Sequence, residues 1–227
     1  MPEDFNGRTY VAFSDLCGFK QMMNANRKKA VKALDRLFES VYAIQNDEAR
    51  ILRTDVDAIA VSDCVVSWAR DERLDTIVAF LSWLHSKMIE KRYLLRTTIA
   101  YDAFCYQNRL QLSNLQKTYI VGGAYISAYM ANDKAEPGMI MLLNPVRTPN
   151  CWKWKRFNKT KKWEYFWSAH HSADIPKIKK QRSKAKNLEF DRLTEIYQGR
   201  LKESSNIGSI GEPQTLKLNR TRRNQVF

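Results

Sequence analysis

Cysteine is scarce and scattered in this chain of 227 residues. Cys17, Cys64, Cys105 and Cys151 stand far apart, with no CxxC pair and no matching cluster among three histidines. That argues against a disulfide framework and against a zinc site, and it fits the reduced thiols of a cytoplasmic protein. No apolar run approaches the ~20 residues that a membrane-spanning helix needs, so no stable membrane contact is expected. The opening MPEDFNGR is polar and acidic, without the apolar stretch of a secretory signal. No internal repeat is present.

Acidic residues run short in one region only. The whole chain holds 38 Lys and Arg against 24 Asp and Glu, a formal charge of +14. Residues 1–145 carry 18 basic and 17 acidic side chains, whereas residues 146–227 carry 20 and 7. The basic excess therefore belongs to the last third, and it does not make the whole molecule a nucleic-acid binder. With 44% hydrophobic and 11% aromatic residues, the chain has enough apolar side chains for a full core.

Residues 8–13 are β-branched and aromatic and stop at a polar turn over 14–18, which predicts a buried strand. A helical pattern follows over 19–44, with Val31, Leu34, Leu37, Phe38, Val41 and Tyr42 on its apolar face. Two short apolar runs, 58–61 and 64–68, meet at Ser62-Asp63 and predict a hairpin. Leu74, Ile77, Val78, Leu81, Leu84 and Met88 mark a second amphipathic helix. Strands are expected over 94–106, 119–121 and 139–143, with a helix over 124–131 after Gly122-Gly123. The order β-α-ββ-α-β-β-α-β predicts an α+β fold with helices on one face of a mostly antiparallel sheet. Three regions follow: a core over 1–145, a basic aromatic extension over 146–203 that packs on it, and a disordered tail over 204–227.

Two carboxylates stand where a packed core would not place them. Asp15 lies at the end of the first strand, on the same face as Phe13, and Asp63 lies at the hairpin tip. If the hairpin neighbours the first strand, both converge at one end of the sheet, as in two-metal phosphoryl-transfer sites. The loop Leu16-Cys17-Gly18-Phe19 adds backbone amides at a helix start, which suit phosphate. Either Asp alone is more often a turn former or a helix cap than a ligand. Their combination in this order is what carries the reading.

The segment VAFSDLCGF over 11–19 resembles the first metal-binding motif of class III nucleotidyl cyclases, F-x-D-x-x-G-F. Ser62-Asp63 resembles the second metal-binding carboxylate, and YIVGGAYISAYMAN over 119–132 the later strand-to-helix motif. Within that family the chain is most similar to the bacterial pyrimidine cyclases of Pycsar anti-phage defence, which carry an Arg matching Arg96. The likeness spans residues 8–145 and implies a ferredoxin-like, palm-type βαββαβ core. It also implies closure of UTP, or less favourably CTP, to a 3′,5′-cyclic monophosphate plus pyrophosphate. Asp15, Asp63 and the Leu16 carbonyl would hold two divalent cations, Mn²⁺ or Mg²⁺. The amides of Cys17, Gly18 and Phe19 would cradle the triphosphate, and Arg96 would make a charge-assisted substrate contact. Phe13 would lie on the ribose or base, Tyr129 would approach the partner chain's site, and Arg53 would face the base edge. Sites formed between two domains imply a homodimer, and the cyclic product implies a separate effector protein.

The departures bear on the substrate. Ile59 stands where purine cyclases have a Lys, Gly123 where they have a base-reading Asp or Cys, and Ile126 and Met130 where they have a transition-state Asn and Arg. A pyrimidine substrate fits that pattern better than a purine; a dead cyclase fold would share it, and the survival of both metal carboxylates argues against that. A second reading, from a different class, is a single-stranded nucleic-acid module built on residues 152–167. There Trp152, Trp154, Trp163 and Trp167 alternate with lysines and Arg156. The favoured reading of the same tryptophans is that they pin the extension to the core, with the lysines solvated.

Overall fold

The structure, a computed structural model, describes residues 2–46, 55–109, 118–135, 137–146, 154–157 and 162–165. Its organising element is β1 (Phe5–Leu16), which is followed by α1 (Phe19–Ala25) and α2 (Arg27–Asn46). The hairpin β2 (Val56–Val61) and β3 (Cys64–Ala69) comes next, then α3 (Leu74–Glu90) and the long β4 (Leu95–Asn108). After these come β5 (Thr118–Val121), α4 (Gly123–Asn132), β6 (Ile140–Leu143), β7 (Trp154–Phe157) and β8 (Lys162–Tyr165).

β1 is paired on both sides. It runs antiparallel to β3 over Val11–Asp15 and antiparallel to β4 along its whole length. The sheet order is β2-β3-β1-β4-β6-β8-β7, with β5 also on β4. Because β-strand side chains alternate, Tyr10, Ala12 and Leu16 enter one core with α2 and α3, and Val11 and Phe13 enter another with α4.

The α+β class is as expected, with one difference of arrangement. The sheet is mostly antiparallel, as expected, with β4 and β6 as its parallel pair among the described residues. α4 packs on β4 and β1 on the face opposite α2 and α3, so the helices do not share one face. The physical reason is connectivity. β5 pairs near the Tyr106 end of β4 and β6 near its Thr97 end, so the chain must return along the sheet, and α2 and α3 already cover one side.

The expected helix over 19–44 is two helices. The break falls at Asn26, whose backbone is extended and whose side-chain oxygen accepts the Lys29 amide at 3.2 Å, capping α2. The buried stripe of α2 is also displaced from expectation. Ala30, Ala33, Leu37, Ser40, Val41 and Ile44 face inward, whereas Val31, Phe38 and Tyr42 are exposed. Small side chains let α2 approach its neighbours closely, and this outweighs burying the larger groups of the adjacent face. β1 also runs through Asp15 to Leu16, past the expected end at Phe13, because its two ladders continue that far.

Within the basic aromatic segment β7 and β8 pair antiparallel, and β8 extends the sheet beyond β6. Trp163 stands opposite Leu142 in the register and Tyr165 opposite Ile140. The expected disordered tail and the second half of the extension lie outside the described residues. No helix among the described residues is long and apolar enough to cross a membrane.

A buried polar chain ties the helical layer to the sheet. His85 of α3 lies 2.8 Å from the Thr97 hydroxyl of β4, which lies 2.8 Å from the Ser14 hydroxyl of β1. Burial holds the imidazole neutral and pushes its pKa down to about 3 from an ordinary value near 6.5. The unfolded chain takes up a proton that the folded one refuses. Stability is therefore full above about pH 6.5 and is lost as the pH falls toward 3, by up to ~1.4 kcal/mol per pH unit. Urea unfolding across pH 4 to 7 is expected to show this slope, and His85→Gln to flatten it; an unchanged slope would contradict the assignment.

Candidate active site

The ladder between β1 and β3 brings the two carboxylates together. Asp15 is paired with Cys64, and the Leu16 amide donates to the Asp63 carbonyl at 3.0 Å. The tip turns tightly because Ser62 adopts a positive φ of 54°. The N–H and C=O of one strand residue point the same way, so the Leu16 carbonyl faces the hairpin tip as well. On the other side of β1, Asp15 is paired with Arg96 of β4.

Arg96 grips Asp15. Its Nε and Nη2 lie 2.8 and 2.7 Å from the same carboxylate oxygen, Oδ2, and Nη2 is also 3.1 Å from Asp133, just beyond α4. Burial pushes the Asp15 carboxyl above its ordinary range; Arg96 draws it back, and the charges of Asp63 and Asp133 raise it again. Arg96 feels the same burial downward, which its bond to Asp15 more than offsets. The site is thus a half-buried carboxylate beside a second carboxylate, with one guanidinium as counter-charge.

The donor set is hard. Two carboxylates and a backbone carbonyl suit Mg²⁺ or Mn²⁺, which fill their remaining positions with water and substrate oxygens. The neighbouring thiols are poor competitors: burial pushes Cys17 up to about 12 and Cys64 to about 11, so both stay protonated. Among the described residues, no group of three or more His, Cys, Asp or Glu side chains is placed to hold a metal ion. A cation here would rest on two side chains.

The other expected residues fall as follows. Gly18 takes a left-handed φ of 76° and opens α1, and Phe19 packs on the main core. The Cys17 amide donates to the Leu94 carbonyl at 2.9 Å. It is therefore already used, which leaves the Gly18 and Phe19 amides for the expected phosphate cradle. Phe13 is buried beneath α4, where Tyr129 meets it edge-on with ring centres 5.2 Å apart and Tyr125 lies at 6.4 Å. Tyr129 thus packs on its own chain's Phe13 while keeping an exposed side. Arg53 lies outside the described residues.

Several residues at the site had no signal in the sequence. Asn132 donates to the Phe13 carbonyl at 2.9 Å and to the Arg96 carbonyl at 3.3 Å, fastening the end of α4 to β1 and β4. Its Oδ1 is buried without a hydrogen-bond partner among the described residues. Asp133, which Arg96 also contacts, was equally silent. An Asn-Asp pair after a helical run reads as an ordinary helix end, and only the return of α4 over the sheet gives it meaning.

Solved structures of nucleotide cyclases share this fold. The adenylyl cyclase CyaB from P. aeruginosa is 15% identical with a TM-score of 0.52, covering 72% of this chain and 96% of that one. The guanylyl cyclase Cya2 is 13% identical with a TM-score of 0.51, covering 72% and 94%. The non-canonical dimeric guanylyl cyclase domain of the RhoGC fusion protein from the aquatic fungus Blastocladiella emersonii is 16% identical with a TM-score of 0.52, covering 73% and 96%. No protein-family model and no curated protein matches the chain.

The glycine pair before α4 separates two kinds of constraint. At Gly122 φ is 130°, and a Cβ would collide with the Ala103 carbonyl and the Phe104 Cα, which are backbone and cannot yield. At Gly123 a Cβ would overlap the Asp102 carboxylate, a side chain that also pairs with Arg8 at 3.4 Å. A larger group at 123 must therefore displace Asp102. Gly122→Ala is expected to cost ~2–4 kcal/mol in urea unfolding and Gly123→Ala ~1 kcal/mol or less, because Asp102 can swing away. Equal costs would contradict this account.

Proposed function

We propose that the protein is a nucleotidyl cyclase that closes a pyrimidine nucleoside triphosphate, UTP in preference to CTP, to its 3′,5′-cyclic monophosphate with release of pyrophosphate. The observation that carries the reading is the convergence of Asp15 and Asp63 at one sheet end through the β1–β3 ladder. The fold shared with adenylyl and guanylyl cyclases supports it.

Asp15, Asp63 and the Leu16 carbonyl would hold two divalent cations, Mn²⁺ or Mg²⁺. Bound there, they supply acidification of the 3′-hydroxyl and neutralisation of the leaving pyrophosphate. The rest is the work of the chain itself. Gly18 and Phe19 present backbone amides to phosphate, and Arg96 offers a planar fork to its oxygens. Tyr129 covers the buried Phe13 on the same sheet face as Asp15 and keeps an exposed aromatic side there, so Phe13 supports the site from the core and does not itself touch ribose or base.

Substrate choice rests on what is missing. Ile59 is partly buried against the α4-side core, and position 123 has no room for a side chain beside Asp102. Ile126 and Met130 face outward, 58% and 67% exposed. No purine-reading group of the resembled enzymes stands at these positions. The outward apolar face of α4, with Tyr129 at 54%, and Val61 at the hairpin tip support a homodimer that covers them. A role in anti-phage defence, with the cyclic nucleotide acting on a separate effector, belongs to the same reading.

Purified protein incubated with each of the four NTPs and Mn²⁺ should convert one pyrimidine triphosphate to a cyclic product, resolved by chromatography. Asp15→Ala and Asp63→Ala should each lower turnover at least ~10³-fold without changing the dimer. Near-normal turnover in either would end the two-carboxylate assignment, and salt-sensitive RNA binding without any product would favour the basic aromatic segment as the functional element. Ile126→Asp should yield a folded monomer by light scattering, with cyclase activity lost in step.

A further inference from the structure

In this structure the carboxylate proposed as a metal ligand is already occupied by a side chain. Both Arg96 contacts, at 2.8 and 2.7 Å, fall on Oδ2 of Asp15. The two acids that Arg96 touches differ sharply in exposure, the Asp15 side chain being 18% exposed and that of Asp133 90%. Water can compensate Asp133 unaided, whereas Asp15, half-buried and next to Asp63, needs a counter-charge.

A divalent cation binds carboxylate oxygen at about 2.1 Å, so one sharing Oδ2 with the guanidinium would lie within ~5 Å of it. Two cations at that separation repel strongly wherever water is partly excluded. The backbone has little freedom to relieve this. Ser14 and Thr97, which flank Asp15 and Arg96, are locked to each other and to His85 beneath the sheet, and Asn132 holds the Arg96 carbonyl from above. What can move is the Arg96 side chain, and Asp133 offers it a second partner.

We propose that Arg96 is the resident counter-ion of the Asp15–Asp63 pair, that a divalent cation must displace it from Asp15, and that the metal site therefore loads weakly until an anionic polyphosphate receives the displaced guanidinium. This rests on the reading of Asp15 and Asp63 as metal ligands. It makes Arg96 a positioning residue that couples cation binding to nucleotide binding, so that a cation without nucleotide leaves the site largely closed on itself.

The test measures Mn²⁺ binding to the full chain without nucleotide, by the electron paramagnetic resonance signal of free Mn²⁺. Arg96→Gln should tighten Mn²⁺ binding about 10-fold over the unaltered protein, and Arg96→Lys, with one contact in place of two, about 3-fold. Asp15→Asn should remove that binding in either background. If both Arg96 variants bind Mn²⁺ no more tightly than the unaltered protein while Asp15→Asn still removes it, the counter-ion role is overturned and the metal-ligand reading stands. If Asp15→Asn leaves Mn²⁺ binding unchanged, the underlying reading fails as well. Should Arg96→Gln not fold, Arg96→Lys alone decides between tightening and no change.

Discussion

Everything at the candidate site depends on β1 being hydrogen-bonded on both edges as far as its last residues. That double pairing places Asp15 beside Cys64 on one side and Arg96 on the other, and ties Leu16 to the carbonyl of Asp63. A carboxylate so placed loses much of its water, and burial raises its pKa before any neighbour acts on it. The second carboxylate adds to that electrostatic problem, and the guanidinium answers it. The sheet supplies the rigidity, because shifting the register of β1 by one residue would turn Asp15 to the opposite face.

The charges at the site run against the charge of the molecule. A chain with +14 overall concentrates that excess after residue 145, while the site sets Asp15 and Asp133 on one arginine, with the charge of Asp63 acting on Asp15. Phosphate chemistry at such a place requires added positive charge, which hard cations supply better than side chains do. The basic strand pair β7–β8 lies at the other limit of the fold, two strands beyond β4 and at the edge of the sheet. It completes the sheet.

Much of the fold was legible from periodicity. The strand through Phe13, the hairpin turning at Ser62-Asp63, the α3 stripe and the helix after Gly122-Gly123 all lie where apolar spacing and turn residues put them. Periodicity failed on α2, because alanine and serine carry little hydrophobic signal yet decide how closely a helix can approach its neighbours. It failed at Asn26 because a single capping residue interrupts a helical pattern without breaking its period. The placement of α4 was hidden for a different reason: two faces of a sheet look alike from sequence until one of them is filled.

The sequence by itself determined the element types, the neutrality of the core against the basic extension, and the positions of two carboxylates at strand ends. These are local properties, governed by side-chain chemistry and spacing along the chain. Tertiary structure alone decided that Asp15 meets Arg96, that Asn132 and Asp133 return to the same end of the sheet, and that the Cys17 amide is already bonded to Leu94. Such pairings join residues tens of positions apart. They arise from strand register and from one helix crossing the free face, and no local pattern encodes either.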